Sequence, residues 1–469
     1  MLMKIIQLDN SRIGFFTCAL AIMMAMVLTA TTSKAQSLVF DSVSVLDMDS
    51  GSIVGNQTLI ITDGTITWVG PAGDAQIPAG SRVVSGDYVI MPGLAEMHAH
   101  IPPASQGPDY VHDALKMYLI QGITTIRGML GEASHLELRS RAARGEIISP
   151  RIFTSGPSFN GNSAREPEAA REEVRKQFAA GYDLLKLHPG LSVEVFEALT
   201  DEARSLGMDF SGHISYAVGL ERTLASGKGS IDHLDRYMEF LSGDAALRQD
   251  PSIIYFGYDL TDHIDTSKMD EAARRTAESG VRVVPTNTLL ENVFNPDYTI
   301  EKMKSWDGVD MMPSNVVAGW TNFVAILRNQ EDYNPDKART FLKYRKDLTK
   351  SLHENGVEIL LGADAPQIFN PPGYSAHREL ALLVDSGLSP LDAIATGTTN
   401  VGKYFDETES TGKVATGFRA DLILLDVNPL EVIPFNNHIK GVVVSGRYFD
   451  EIQLQQITDD IRQRVAGSD

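Results

Sequence analysis

From residue 36 to about 92 the chain alternates apolar and polar positions in short runs, LVFDSVSVLDM, QTLIITDGTITWVG and SRVVSGDYVIMPG, separated by turn residues. A period of two marks half-buried strands, and Asp63-Gly64 between two such runs predicts a tight hairpin. The same texture returns near the C-terminus in GKVATGFRADLILLDVN and IKGVVVSGRYFDE. Between these β-rich ends the period changes. Short apolar runs (GITTIRGML, PRIFTSG, DLLKLHP, MDFSGHI, GSIDHLD, VRVVPTN, VEILLGADAP, and the run into His98) alternate with amphipathic stretches such as EPEAAREEVRKQFAAG and SVEVFEALTDEARSLG, each closed by glycine. Strand-helix alternation of this kind predicts an α/β fold: a (β/α)8 barrel over 93–404, with 36–92 and 405–455 pairing into one small β-sandwich and 456–469 as a tail. An open doubly wound sheet is the alternative, but no glycine-rich phosphate loop follows the first strand. Irregular stretches at 238–270 and 291–340 interrupt the alternation. The second is rich in aromatics and Met, and reads equally as ordinary loop and core helix or as a cover over the barrel mouth.

The first segment has a different character. Lys4 and Arg12 precede the apolar IGFFTCALAIMMAMVLTA, and TTSKAQS supplies a small-x-small pattern ending at Ala35. This is the layout of a secretory signal over 1–35, cleaved before Gln36, and it implies export to the periplasm or medium. An uncleaved membrane anchor is the competing reading of so long an apolar run. The chain's one cysteine, Cys18, falls inside this segment, so the mature protein has neither disulfides nor thiolate metal ligands.

With 61 acidic against 41 basic residues the formal charge is -20, which opposes phosphate backbones and anionic lipid surfaces. Nucleic acid is thereby disfavoured as a partner, and no stable membrane insertion is expected after signal cleavage. A small-molecule substrate fits this balance better.

Candidate chemistry begins at PGLAEMHAHIPP. Residues two apart on a strand share a face, so His98 and His100 both project from the end of the first barrel strand. Alone the pair is weak among eleven histidines. His213, His233 and Asp364 then fall at the ends of later strands, where barrel enzymes carry catalytic groups. Lys186, in YDLLKLHP, points the same way. A buried ammonium beside divalent cations is strongly disfavoured, and reaction with carbon dioxide to a carbamate would turn it into an anionic ligand. A lysine reaching solvent, or paired with Asp183, is the plainer reading. His188 shares the Lys186 face and is a candidate for the layer behind the ligands. His377 and Arg378 open the last barrel helix, facing either the pocket or solvent.

These motifs in order, VIMPGLAEMHAH, GITTIRGM, DLLKLH, GHISYAVGLERTLASGKGSIDHL, LLGADAP, HRELALLVDSGLSPLDAIATGTTNVGKYF and GKVATGFRADLILLDVNPL, resemble the amidohydrolase superfamily, most closely its exported imidazolonepropionase-like and prolidase-like hydrolases. The resemblance implies two divalent metal ions, usually zinc, held by His98, His100, N6-carboxylated Lys186, His213, His233 and Asp364. It further implies attack by a metal-bridging hydroxide on an amide or peptide C–N bond, Asp364 shuttling the proton and His233 standing near the carbonyl. Tyr216 matches a tyrosine that contacts the substrate carbonyl in some relatives. Gly128 stands where relatives often carry Asp, and TSGPSFNGNSA lacks a histidine common in dipeptide-cleaving members. The substrate therefore stays open between a dipeptide or N-acyl amino acid, a cyclic amide or imidazolone, and a phosphotriester or lactone. A binding protein without turnover is the reading from another class, and the resemblance leaves a homo-oligomer open.

Overall fold

The computed structural model describes residues 37–243 and 256–468. The expected signal segment 1–35, with Cys18, lies outside the described residues, as does 244–255 of the first insertion. Five strands open the chain: β1 (Leu38–Asp47), β2 (Ser52–Thr62), β3 (Thr65–Pro71), β4 (Arg82–Ser85) and β5 (Val89–Pro92). Next come β6 (Leu94–Ala99), β7 (Ile123–Gly128) and β8 (Arg151–Thr154), which form a parallel sheet. A second parallel sheet holds β9 (Leu184–Leu187), β10 (Asp209–Gly212), β11 (Ser230–Asp232) and β12 (Arg282–Val284) in chain order. β13 (Leu422–Leu425), β14 (Ile439–Val444) and β15 (Arg447–Asp450) then return to the first five strands.

The two parallel sheets are stitched together by isolated bridges. Ser155 pairs with Leu184 between β8 and β9; Val283 pairs with Ile359, and Ala99 with Ala365, so that segment 357–366 lies between β12 and β6. That segment was expected as an eighth strand and is instead a run of bridges. The physical cause is local: Ala363 N–H donates to the Glu96 carboxylate at 2.7 Å rather than to a neighbouring strand, and Asp364 turns into the left-handed region at φ 63°. The helices Pro167–Ala180 and Val193–Leu206 stand where the amphipathic pattern predicted, the second capped by the Ser192 hydroxyl accepting from Val195 N–H at 3.3 Å.

The chain ends combine as expected, and the hairpin at Asp63-Gly64 forms with both residues at positive φ. Hydrogen bonds nevertheless join all eight end strands into one continuous sheet, in the order β15-β14-β13-β5-β1-β2-β3 with β4 beside β1, where two stacked layers were expected. Register shifts within β1 let its first half pair with β4 and its second with β5. Phe40, Leu59, Ile66, Leu422 and Leu424 pack together in this sheet's apolar core.

One further expectation is corrected. The supposed tail 456–469 belongs to a helix, Glu451–Ser468, that docks on the body: Leu454 and Ile461 are buried, and Arg464 forks onto Asp113 at 2.6 and 2.9 Å. Apolar residues at 454, 457, 461 and 465 share one helix face, a stripe diluted by the Gln and Asp around it. The Met- and aromatic-rich insertion is largely helical, with Met303, Met311, Met312, Trp320 and Val324 buried in the cluster that receives this helix. Among the described residues no helix is long and apolar enough to cross a membrane.

Candidate metal centre

Strand ends bring six side chains to one place. His98 ends β6 and lies fully buried, its ring 5.4 Å from that of His100 and 4.5 Å from that of His233. Lys186, on β9, places Nζ 3.4 Å from His98 Nε2. The ring of His213, just past β10, stacks 4.4 Å from that of His233, just past β11. Asp364 completes the group: Oδ1 is 2.7 Å from His100 Nε2 and 3.7 Å from His98 Nε2, and Oδ2 is 3.9 Å from His233 Nδ1. Within this set, His98, His233 and Asp364 offer ligand atoms all within 4.8 Å of one another.

The backbone is bent to achieve this. His233 and Asp364 both adopt φ 63°, a region sparsely populated by residues other than glycine, at a cost on the order of 1 kcal/mol each. His233 is held there by its N–H donating to Val284 O at 2.8 Å and by the buried Arg345 donating to its carbonyl at 2.8 Å.

Orientation of the rings leaves atoms free. Asp235 accepts from His213 Nδ1 at 2.9 Å, and Thr286 Oγ1 lies 2.8 Å from His233 Nδ1. Asp232 Oδ2 lies 2.8 Å from His98 Nδ1, out of line for a hydrogen bond. Buried His233 Nε2 has no hydrogen-bond partner among the described residues, and Asp364 Oδ1 meets only histidine nitrogens, His100 Nε2 at 2.7 Å and His98 Nε2 at 3.7 Å. A buried set of imidazoles and a carboxylate turned on one another forms the environment a divalent cation requires.

Electrostatics agree. Burial first, then Lys186, lowers the His98 and His213 pKa well below the ordinary histidine value, and burial lowers His233 to about 3, so all three are neutral and ligand-competent at pH 7. Burial also lowers Lys186, against the opposing pull of Asp232 and Asp364. Burial would raise Asp364, yet His98 and His100 hold its carboxyl far below the usual range. The alternative partner for Lys186 is absent: Asp183 pairs with Arg139 at 2.7 Å.

The remaining expected residues divide. The His188 ring stacks 5.0 Å from His213, at the edge of the cluster. Tyr216 lies beneath the Arg236 guanidinium, 5.5 Å from ring centroid to charge. His377 is not at the site and not on the surface: it is buried, with Nε2 donating to Gln121 O at 2.8 Å and its ring edge-on to Phe435. Sequence reasoning missed Asp232, Asp235, Thr286 and Glu96. The second Asp of DHLD was a visible signal; Glu96, which accepts from His98 N–H at 3.2 Å, was hidden in an apolar run.

A family model, "Amidohydrolase family", matches residues 89–448. The chain belongs to the amidohydrolase family. As a member it is a hydrolase acting on carbon–nitrogen bonds of the amide type. Among curated relatives it is 22% identical to an ochratoxinase of Aspergillus niger over 450 residues, covering 88% of this chain and 86% of that one. It is 24% identical to an imidazolonepropionase of Kosmotoga olearia, over 86% of this chain and 92% of that one. Solved structures of the same fold include a putative prolidase from Bifidobacterium longum (TM-score 0.65, 22% identity, 91% of this chain and 99% of that one). Bottromycin amidohydrolase superposes with a TM-score of 0.70 at 20% identity, over 92% of this chain and 91% of that one.

Proposed function

We propose that this amidohydrolase cleaves the C–N bond of a dipeptide or N-acyl amino acid, using two divalent ions, zinc by preference, held by His98, His100, carboxylated Lys186, His213, His233 and Asp364. The parallel sheets and the bridged segment 357–366 are read as one closed (β/α)8 barrel carrying the site on its C-terminal face, with the end sheet as a separate small domain. The N-terminal segment is read as an export signal, which places the enzyme in the periplasm or medium. The observation carrying the functional reading is the convergence of six ligand-competent side chains, among which His98, His233 and Asp364 bring ligand atoms within 4.8 Å of one another and His233 Nε2 has no hydrogen-bond partner among the described residues.

When bound, the metal pair supplies Lewis acidity and an acidified water. This chain's own residues do the rest. Asp364 is held as a carboxylate by its histidine neighbours and is assigned to accept a proton and to return it to the departing nitrogen. Thr286 Oγ1, 2.8 Å from Nδ1, fixes the His233 ring and leaves Nε2 open. Lys186, deep and with its ammonium disfavoured, presents a nucleophilic amine to carbon dioxide.

A screen of Xaa-Pro, Xaa-Arg/Lys and N-acyl amino acid libraries with the zinc-loaded mature protein tests this. Release of a free amino acid is expected, and loss of turnover on chelation. A single larger product from a cyclic amide would replace this substrate class with ring opening. Mass spectrometry that preserves labile groups should find one carbon dioxide added at Lys186; an unmodified lysine in a metal-replete protein would refute that ligand.

A further inference from the structure

A cavity with a largely apolar wall lies in the helix layer, between the helices Asn287–Phe294 and Tyr374–Asp385 and the aromatic stretch that carries Tyr298 and Trp306, with a volume of about 250 Å³. Tyr298 and Trp306 meet edge-to-face, centroids 5.2 Å apart. The Arg378 guanidinium lies 3.9 Å from the Trp306 ring centroid. Its Nη2 donates to Phe369 O at 2.8 Å and to Asn370 Oδ1 at 2.7 Å, while Nε and Nη1 have no hydrogen bond and the group makes no ion pair among the described residues. Glu379, next along the helix, turns its carboxylate to the Asn287 and Thr288 N–H groups instead.

The other charges in the wall do not neutralise Arg378. Glu291 is already held by Lys346 at 3.2 Å and by Asn295 at 2.5 Å, and Lys302 adds a second cation 4.9 Å over the Tyr298 ring. Desolvation pushes the Arg378 pKa down to about 10, so the guanidinium remains charged at neutral pH. A partly buried guanidinium with two unfilled donor positions beside an open cavity is an arrangement that an anion fits, and the guanidinium fork matches a carboxylate in particular.

We propose that this cavity binds a small organic monocarboxylate, its carboxylate on Nε and Nη1 of Arg378 and its apolar or aromatic body against Tyr298 and Trp306. The site is distinct from the metal cluster and does not rest on the proposed activity. It is nonetheless one side chain away from the cluster's backbone, because Asn370 accepts from Arg378 and donates to the carbonyl of Ala363, next to Asp364, at 2.6 Å.

The test is calorimetry and tryptophan fluorescence on the full zinc-loaded chain at low ionic strength, with benzoate, phenylacetate and the uncharged isostere benzamide. Saturable benzoate or phenylacetate binding is expected, with benzamide weaker by about tenfold or more. Arg378→Gln should weaken the carboxylates by a similar factor and Trp306→Leu by several-fold with loss of the fluorescence response, whereas Asp364→Asn should leave the affinity unchanged. If Arg378→Gln does not fold, Arg378→Lys, which keeps the charge but not the fork, should still weaken binding. Binding by neither carboxylate, equal binding of benzamide, unaltered affinity in the arginine variants, or loss of affinity in Asp364→Asn overturns the assignment.

Discussion

Two buried polar regions meet around β6 and β11 and are finished differently. In the lower one, Arg127 spends its donors on Met97 O at 2.7 Å, the Tyr404 hydroxyl at 2.6 Å and Ser230 Oγ at 3.0 Å, with Asp232 3.6 Å away, and Ser230 in turn donates to Asp232 at 2.7 Å. In the upper one, His233 Nε2 is buried and left without a partner among the described residues, and Asp364 Oδ1 faces only histidine nitrogens. Asp232 belongs to both: its Oδ1 is closed by Ser230, while its Oδ2, without a hydrogen bond, lies 2.8 Å from His98 Nδ1. The difference is the kind of partner: the guanidinium of the lower region meets carbonyl and hydroxyl acceptors, whereas the upper region turns imidazole nitrogens and carboxylates on one another, an arrangement shaped for something that is not protein.

The comparison is broken or sharpened by four substitutions. Asp364→Asn, nearly isosteric, should reduce kcat by about 10³-fold or more while leaving the melting temperature close to that of the parent, because the group serves chemistry. Steady-state rates on the best substrate from the screen decide this, and a variant retaining a tenth of the parent rate would contradict the role. Arg127→Leu should do the reverse, costing roughly 3–5 kcal/mol of stability by leaving Asp232 as an uncompensated buried charge. Denaturant unfolding measures that loss, and pairing the change with Asp232→Asn should recover part of it; strict additivity of the two would mean that the plug is not a unit.

Glu379 gives the pH arm. Burial raises its pKa from 4.5 to about 7 against the two backbone N–H groups it accepts. A folded pKa above the unfolded value means that the native state binds the proton more tightly. This group's contribution is therefore fully present at low pH, below the unfolded value, and is lost as pH rises towards about 7. Over that window the swing is roughly 3 kcal/mol. The Glu379→Gln variant should lack this component, so the parent-minus-variant stability should fall between pH 4.5 and 7. A difference flat with pH would mean that Glu379 titrates normally. The smallest effect is expected from Asp232→Asn assayed by chelator competition: loss of the carboxylate beside His98 Nδ1 should weaken metal binding by about 10- to 100-fold. Unchanged affinity would assign Asp232 wholly to the plug.

Much of the site was legible in the chain because strand periodicity points residues at a strand's end in a known direction. His98, His100, Lys186, His213, His233 and Asp364 could each be placed from their local run alone, and the structure brings them together. Asp232 and Thr286 could not, since their roles depend on partners 134 and 53 positions away in sequence, His98 and His233 respectively. His377 misled for the opposite reason. A histidine opening a helix reads as exposed or pocket-facing, and only the packing of Phe435 and the Gln121 carbonyl buries it elsewhere. The C-terminal helix escaped notice because its apolar stripe is thin and becomes meaningful only against the Met-rich cluster that covers it.

By itself the sequence determined the alternation of strands and helices, the pairing of the β-rich ends and the identity of the metal-competent residues, because these follow from local period and side-chain chemistry. Tertiary structure alone decided which of those residues converge, that the end strands form one sheet, that His233 and Asp364 sit in left-handed backbone, and which buried polar atoms are left open. The physical reason is that such features are properties of contacts between distant segments, and a contact's geometry is set by the packing of the whole chain rather than by any residue's own preference.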